Sequence, residues 1–237
     1  MRETRTEELF GRVALVTGAG GGIGGSVSRH LAQSGASVLV CDVDFEAGEA
    51  VARAIREDGG RAQFFALDVA SEENWSRAAD TAVERFGRVD VLVNNAGVYD
   101  RRSIMETTAE GWDRTIRINL TGAFFGIRAL APHIRAQGGG VIVNVSSTSG
   151  LVGHPDAPYS ASKWGLRALT RTAALEFADW GIRVNSVHPG SVPTQLHRHA
   201  PPGHAEVWRK LIPWRAPARS TRLPKPCTSW SATGRPT

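Results

Sequence analysis

The chain has 237 residues, of which 41% are hydrophobic, and only two cysteines, Cys41 and Cys227. This length fits one large α/β domain with a substantial core, and two cysteines give neither a disulfide framework nor a metal-ligand spacing. No apolar run approaches the length of a membrane span, and the charged N-terminus lacks the apolar centre of a signal peptide. We therefore expect a cytoplasmic protein with no metal site and no membrane partner.

The net charge of +5 comes entirely from the C-terminal segment. Residues 214–237 hold five basic side chains and no acid, so residues 1–213 are neutral overall. A basic segment can bind nucleic acid or a membrane surface. This one contains no recognisable nucleic-acid-binding motif, and we expect no nucleic-acid partner.

The first predicted strand, residues 11–17, runs into a glycine-rich turn that opens a helix. Glycines let the backbone approach a pyrophosphate, and the N–H groups of the first helical turn point at it. A dinucleotide site is therefore favoured over a mobile loop. The glycines fit two registers. Gly20, Gly22 and Gly25 fit G-x-G-x-x-G, and Gly18, Gly22 and Gly24 fit T-G-x-x-x-G-x-G.

The second predicted strand, residues 37–42, ends in the carboxylate of Asp42. In a dinucleotide-binding fold, an acid at this place hydrogen-bonds the adenosine ribose and repels a 2′-phosphate. No Arg or Lys lies in the glycine turn or beside Asp42. The sequence therefore favours NAD, with NADP as the alternative cofactor. Asp44 is interpreted as the N-cap of the next helix, residues 45–57.

Strands continue to alternate with helices along the rest of the chain. Further strands are predicted at 63–67, 89–93, 140–147 and 182–187. Further helices are predicted at 71–87 with Ser71 as the N-cap, at 109–136, and around Tyr159 and Lys163 as far as about residue 179. This alternation predicts a single-domain Rossmann fold, an α/β architecture with a doubly wound parallel sheet. Ligands of such sheets bind at the carboxyl ends of the strands, where residues 18–24, Asp42, Asp68 and residues 94–97 fall.

Tyr159 and Lys163 are four residues apart, so a helix places the phenol and the ammonium on one face. A free tyrosine has a pKa of about 10. A fixed positive charge nearby favours the phenolate and lowers that pKa, so the pair can exchange a proton with an alcohol or ketone oxygen. On spacing alone, a solvated helix face is the commoner interpretation.

Seven short motifs, taken together, favour proton transfer by Tyr159 and Lys163 over a solvated helix face. The chain resembles the short-chain dehydrogenase/reductases, which are NAD(P)-dependent oxidoreductases of single-domain length with a Rossmann core. The matching pieces, in family order, are Thr17-Gly18…Gly22-Ile23-Gly24, Asp68-Val69, Asn94-Asn95-Ala96-Gly97, Asn119, Ser146-Ser147, Tyr159…Lys163 and Pro189-Gly190…Thr194. The segments around Tyr159 and His188 look most like bacterial hydroxysteroid and cyclic-alcohol dehydrogenases.

The resemblance implies roles for individual residues. Tyr159 would be the general acid/base, Lys163 would lower its pKa and bind the nicotinamide ribose, and Ser147 would orient the substrate oxygen. Ser147 is preferred to Ser146 because it lies three residues before Gly150, as the catalytic serine does in the family. Asn119 would anchor a water on the proton-relay path.

The resemblance also implies a set of cofactor contacts and selects the register Gly18, Gly22 and Gly24. Asp68 would face the adenine, Asn94 the adenosine side, and Val192 and Thr194 the nicotinamide amide. Possible pocket walls are Tyr99, His154, Leu196 and Trp208. The complete implied cofactor set is Gly18, Gly22, Ile23, Gly24, Asp42, Asp68, Val69, Asn94, Ala96, Gly97, Tyr159, Lys163, Pro189, Gly190, Val192 and Thr194.

The implied function is hydride transfer between NAD(H) and a secondary alcohol or ketone, with a steroid, cyclic or other apolar substrate. An NADP-dependent ketoreductase and a catalytically impaired nucleotide-binding protein are the alternatives.

We divide the chain into four segments. They are an N-terminal extension (residues 1–10), a Rossmann core (11–195), a substrate lid (196–213) and an atypical basic tail (214–237). The clustered His197, His199 and His204 lie in the lid and have no acidic or Cys ligand beside them, so no metal site is expected.

The C-terminal tail departs from the family pattern. It is rich in proline and cations and poor in aliphatics, so it cannot form the family's last strand and helix. We hypothesise a reading-frame slip near Pro213, because GC-rich codons for residues 214–226, read one base earlier, can encode a segment typical of the family. Without those elements we expect weak NAD binding and doubtful formation of the homotetramer or homodimer that the family implies.

Overall fold

The computed structural model describes residues 8–192, which contain a parallel six-stranded sheet. Its spatial order is β3-β2-β1-β4-β5-β6. The strands are β1 (Val13–Thr17), β2 (Ser37–Asp42), β3 (Arg61–Ala66), β4 (Val91–Asn94), β5 (Gly140–Val145) and β6 (Ile182–Val187). The predicted doubly wound parallel sheet is confirmed. The predicted lid and basic tail, with the missing last strand and helix, lie outside the described residues.

Helices cover both faces of the sheet. They are α1 (Gly22–Gln33), α2 (Phe45–Glu57), α3 (Glu72–Phe86), α4 (Ala109–Ile116), α5 (Gly122–Ala136) and α6 (Ala157–Glu176). Alternate residues of β1 show the two layers: Leu15 packs in a core with Trp75 and Leu130. Ala14 and Val16 instead pack with residues of α1 and α2. This two-sided burial explains why the strands are continuous apolar runs. Within residues 8–192, no helix has the length and apolarity needed to cross a membrane.

Side-chain caps fix where the helices begin. Asp44 accepts a hydrogen bond from the N–H of Ala47 at 3.0 Å at the start of α2. Ser71 accepts one from Asn74 at the start of α3, which ends at Gly87 with a φ of 82°. Both caps agree with the sequence predictions, because a short polar side chain satisfies N–H groups that have no partner within the helix.

The predicted continuous helix over residues 109–136 is wrong in its middle. A π-helical turn, Arg117–Thr121, separates α4 from α5, and the N–H of Gly122 bonds to the carbonyl of Arg117. The wider turn contains Asn119, whose side chain bonds to the backbone of Val98 instead of facing solvent. Such turns within helices are frequent at functional sites.

The strand order reverses between β1 and β4, because β1 pairs with both β2 and β4. The connections leaving these strands diverge to opposite faces of the sheet, and a crevice opens between them at their carboxyl ends. The glycine turn after β1 and the segment after β4 both border this crevice.

Candidate active site

The crevice is a cleft of about 540 Å³, which is within the usual range for a ligand site. Most of the predicted site residues line it together. They are Gly18, Gly22, Ile23, Asp42, Asp68, Val69, Ala96, Gly97, Ser147, Tyr159, Lys163, Pro189, Gly190 and Val192. Thr194, Leu196, Trp208 and the three lid histidines lie outside the described residues.

Glycines occupy three positions of the turn at which a side chain would be strained or would clash. Gly18 and Gly22 have φ values of 60° and 54°, a conformation that other residues rarely adopt. A Cβ on Gly24 would lie 2.2 Å from the carbonyl oxygen of Gly18. Gly18 belongs only to the T-G-x-x-x-G-x-G register, so the geometry favours that register. Gly24 itself supports the turn from behind and does not line the cleft.

Asn95, rather than Asn94, reaches the glycine turn. Its Nδ2 donates to the carbonyl oxygens of Thr17 and Gly18 at 2.9 and 3.0 Å. Asn94 is buried, and its Nδ2 donates to Oδ1 of Asn144 at 2.9 Å. Because side chains alternate between the faces of a strand, Asn94 points into the α5 layer. The side chain of Asn94 therefore has a structural role in the sheet, and the contact of this residue with the adenosine stays a prediction.

Carboxylates lie along the β2 side of the cleft. Oδ2 of Asp42 accepts a hydrogen bond from the N–H of Gly20 at 2.7 Å, and Oδ1 accepts one from Asp44 at 3.0 Å. These bonds fix the carboxylate beside the glycine turn. Asp68 also lines the cleft, and its Oδ1 accepts from the N–H of Ala70 at 2.9 Å.

Tyr159 and Lys163 lie on one face of α6, and both are only 4% exposed. The solvated-face interpretation of this pair is therefore wrong. The helix begins at Asp156, whose Oδ1 accepts a hydrogen bond from the N–H of Tyr159 at 2.9 Å. Nζ of Lys163 donates to the carbonyl oxygen of Val145 at 2.9 Å and lies 5.6 Å from the centroid of the Tyr159 ring.

The two serines after β5 have different tasks. Oγ of Ser146 donates to the carbonyl oxygen of Lys163 at 3.1 Å, so it ties α6 to the sheet. Ser147 lines the cleft and its hydroxyl hydrogen-bonds with Tyr159. The same hydroxyl accepts from the N–H of Ser149 at 3.1 Å. This difference supports Ser147 as the residue that meets the substrate.

Asn119 is buried behind the cleft. Its Oδ1 accepts from the N–H of Val98 at 2.8 Å, and its Nδ2 donates to Val98 and to Oγ of Ser162 at 2.9 and 3.1 Å. A Cβ on Gly97 would lie 3.3 Å from Oδ1 of Asn119 and 3.5 Å from Nζ of Lys163. Asn119 and Lys163 therefore converge behind the same glycine. The bond to Ser162 joins residues 43 positions apart and could not be predicted from a local motif.

Burial controls the pKa values of the central pair. Burial raises the pKa of Tyr159, hydrogen bonds with Tyr99 and Ser147 lower it, and the negative charge of Asp156 raises it, with a net increase. Burial also lowers the pKa of Lys163 to about 8. The predicted lowering of the Tyr159 pKa by Lys163 is therefore not found: desolvation outweighs the other influences on the phenol.

Tyr99 is a partner of Tyr159 that spacing could not reveal. The chain has two tyrosines, and their rings stack with centroids 3.8 Å apart and planes 23° apart. The ring of His154 lies 5.9 Å from that of Tyr99 and 5.6 Å from that of Tyr159. The predicted pocket walls Tyr99 and His154 thus lie against the central phenol. Burial, and then the negative charge of Tyr159, raise the pKa of Tyr99.

The chain is similar to known proteins over most of its length. The sequence profile of the family described as short chain dehydrogenase matches residues 12–204. The chain is 45% identical over 198 residues to the trans-4-hydroxycyclohexanecarboxylate dehydrogenase of Sinomonas cyclohexanicum, covering 81% of this chain and 76% of that protein. It is 42% identical over 198 residues to the cyclohexanol dehydrogenase of an Acinetobacter species (strain SE19), covering 83% and 79%.

A solved structure shares the fold. The crystal structure of levodione reductase superposes on this chain with a TM-score of 0.84. The two sequences are 31% identical, and the match covers 90% of this chain and 87% of that one.

Proposed function

Because the chain belongs to the short-chain dehydrogenases, which are oxidoreductases that use a nicotinamide cofactor, we propose that it is an NAD-dependent dehydrogenase of cyclic secondary alcohols. The observation that carries this proposal is the buried group of Ser147, Tyr159 and Lys163 in the cleft that also contains the glycine turn. The relatives named for dehydrogenation of cyclohexane-ring alcohols support a cyclic substrate.

The residues around the glycine turn fit a dinucleotide. The turn offers backbone N–H groups, as a pyrophosphate requires, and its one side chain between Gly18 and Gly22, the methyl of Ala19, is buried in the core and does not line the cleft. Asp42, which lines the cleft beside the turn, would receive the hydroxyls of the adenosine ribose, and Pro189, Gly190 and Val192 also line the cleft. When bound, the cofactor supplies the nicotinamide carbon that accepts or donates the hydride.

Tyr159 handles the proton in this proposal. Its hydroxyl gives a proton to a ketone oxygen, or takes one from an alcohol, while Ser147 holds the same oxygen by a hydrogen bond. Lys163, one helical turn away, provides the positive charge that stabilises the phenolate as it forms. The ring of Tyr159 is held by its stacking on Tyr99, and Nζ of Lys163 is held by its hydrogen bond to the carbonyl oxygen of Val145, so both side chains keep their orientation during turnover.

Asn119 supports the inner end of this proton path. Its amide fixes the segment after β4 and lies beside the same glycine as Nζ of Lys163. We propose that a water anchored at Asn119 passes protons between Lys163 and solvent. The amide is already bonded to Val98 and Ser162, so its orientation is set before any substrate enters.

The experiment that tests the proposed function is a turnover screen with NAD. Purified full-length chain is incubated with cyclohexanol, cyclopentanol, a hydroxysteroid and a linear secondary alcohol, and formation of NADH is followed by absorbance. We expect turnover of the cyclic alcohols and little turnover of the linear one. Tight NAD binding without turnover of any alcohol or ketone would instead support the alternative of a catalytically impaired nucleotide-binding protein.

We predict that Asp42 selects NAD over NADP. The variant Asp42→Asn keeps an oxygen acceptor for the N–H of Gly20 but removes the charge that repels a 2′-phosphate. The ratio of kcat/KM with NAD to kcat/KM with NADP is expected to fall by at least about tenfold, or 1.4 kcal/mol.

The matched control for this variant is Glu46→Gln, an exposed acid on α2 that does not line the cleft. Its cofactor ratio should equal that of the wild type. A wild-type chain that prefers NADP, or an Asp42→Asn variant with an unchanged ratio, would contradict the assignment of NAD.

A further inference from the structure

Arg101 is held in an unusual backbone conformation beside the central pair. Within residues 8–192 it is the one non-glycine residue with a positive φ, 64°. Such a conformation is uncommon for side chains other than Asn, Asp and His, and it persists where surrounding contacts impose it. The surrounding structure therefore stabilises an unfavourable backbone conformation at this position.

Asp156 is the contact that imposes the conformation. Its carboxylate is 3% exposed, and its Oδ2 accepts a hydrogen bond from the N–H of Arg101 at 2.7 Å. Its Oδ1 accepts from the N–H of Tyr159 at 2.9 Å. One buried carboxylate therefore ties the backbone of Arg101 to the residue that begins the catalytic turn of α6. The position of Arg101 is fixed relative to Tyr159.

The side chain of Arg101 borders the cleft at the aromatic wall. Its guanidinium carbon lies 5.3 Å from the centroid of the Tyr99 ring, and that ring stacks on Tyr159. Arg101 lines the same cleft as Ser147 and Tyr159. The carboxylates Asp42 and Asp44 follow β2, beside the glycine turn. The cleft therefore has acids at its β2 side and two arginines, Arg101 and Arg114, in its lining, and Arg101 lies at the aromatic wall next to the proton-transfer group.

We infer that Arg101 determines specificity by binding an anionic group, such as a carboxylate, on the ring of the substrate. This inference rests on the proposed function and names its substrate class: a cyclic secondary alcohol that also bears a negative charge. A guanidinium presents five N–H donors in a plane and binds a carboxylate through two parallel hydrogen bonds. The aromatic wall contacts the ring, while Arg101 fixes which of its carbons faces Tyr159.

The test compares substrates that differ in one charge. The wild-type chain is assayed with NAD and three probes: 4-hydroxycyclohexanecarboxylate, its carboxamide, and cyclohexanol. The carboxamide keeps the size and the carbonyl of the carboxylate but is neutral. We expect kcat/KM for the carboxylate to exceed that for the carboxamide by at least about tenfold.

The variant Arg101→Gln is expected to remove this preference: its kcat/KM for the carboxylate should fall at least about tenfold more than its kcat/KM for cyclohexanol. Arg101→Gly serves as a second variant, because glycine adopts the positive φ without strain. The matched control is Arg102→Gln, which removes a neighbouring exposed arginine that does not line the cleft. Arg102→Gln should keep the preference for the carboxylate.

The outcomes separate this inference from the proposed function. Turnover of all three probes without a preference for the carboxylate overturns the inference and leaves the proposed function standing. Equal losses on all probes in Arg101→Gln, or a raised KM for NAD, also overturn it, because they assign Arg101 to packing of Tyr99 or to the cofactor. If no probe is turned over, calorimetric binding to the NAD complex decides: carboxylate binding that Arg101→Gln abolishes supports the inference, and its absence in the wild type overturns it.

Discussion

Replacement of Tyr159 by Phe is expected to lower kcat by about 1,000-fold, the size of a general acid/base contribution. The variant keeps the ring that stacks on Tyr99 at 3.8 Å and removes only the hydroxyl that hydrogen-bonds with Tyr99 and Ser147. Steady-state kinetics with a cyclic alcohol measures kcat, and quenching of tryptophan fluorescence measures NAD affinity. NAD affinity should stay close to that of the wild type.

Tyr99 provides a second phenol that complicates this substitution. Because its hydroxyl hydrogen-bonds with that of Tyr159, it is close enough to take over part of the proton transfer. The double variant Tyr99→Phe/Tyr159→Phe removes both phenols and should lose any remaining activity. A Tyr159→Phe variant with most of the wild-type kcat, in either background, would rule out Tyr159 as the acid/base.

Replacement of Lys163 by Met is expected to lower kcat to a similar extent and, at neutral pH, to stabilise the folded chain. Methionine has nearly the same length but cannot stabilise a phenolate. The wild type pays for burying the ammonium, because the pKa of Lys163 is about 8 in the folded protein against about 10.4 for a free lysine. This difference corresponds to about 3 kcal/mol, reduced in the comparison by loss of the hydrogen bond to Val145.

The sign of the pH dependence follows from the same pKa shift. Between about pH 8 and 10.4, the unfolded chain binds more protons at Lys163 than the folded chain does. The free energy of unfolding of the wild type therefore rises with pH in this range, relative to a chain without this lysine. The stability advantage of Lys163→Met should be largest below the folded pKa and shrink above it.

Urea unfolding at neutral and alkaline pH measures this advantage. The matched control is Arg171→Met, which removes an exposed cation from the same helix and should show no such pH-dependent difference. An advantage of Lys163→Met that grows with rising pH would contradict the argument from burial. A variant that is less stable than the wild type at every pH would show that the hydrogen bond to Val145 outweighs the buried charge.

Much of the fold could be predicted because its signals are local. Apolar runs that end in Gly or a polar residue gave the strands to within a few residues, and Asp44 and Ser71 marked the starts of two helices. The site of the cleft followed from the parallel sheet, since the carboxyl ends of its strands meet at one edge. Each of these inferences needs only neighbouring residues and general rules of topology.

The remaining features depend on contacts between distant residues. The choice of Asn95 over Asn94 depends on which face of the sheet each side chain takes at the end of β4. The π-helical turn at Asn119 exists where its amide bonds to Val98, 21 residues away. The net rise in the pKa of Tyr159 comes first from burial, which the four-residue spacing to Lys163 does not reveal.

The stacking of Tyr99 on Tyr159 also gives the protein an intrinsic absorbance signal at this site. These are the two tyrosines of the chain, so every tyrosinate absorbance band at alkaline pH originates at this one location. The tryptophans do not ionise and leave that difference spectrum clear. The combined ionisation of Tyr99 and Tyr159 can therefore be followed in unlabelled protein, and because burial raises the pKa of both phenols, we expect the band to appear only above the pH at which a free tyrosine ionises.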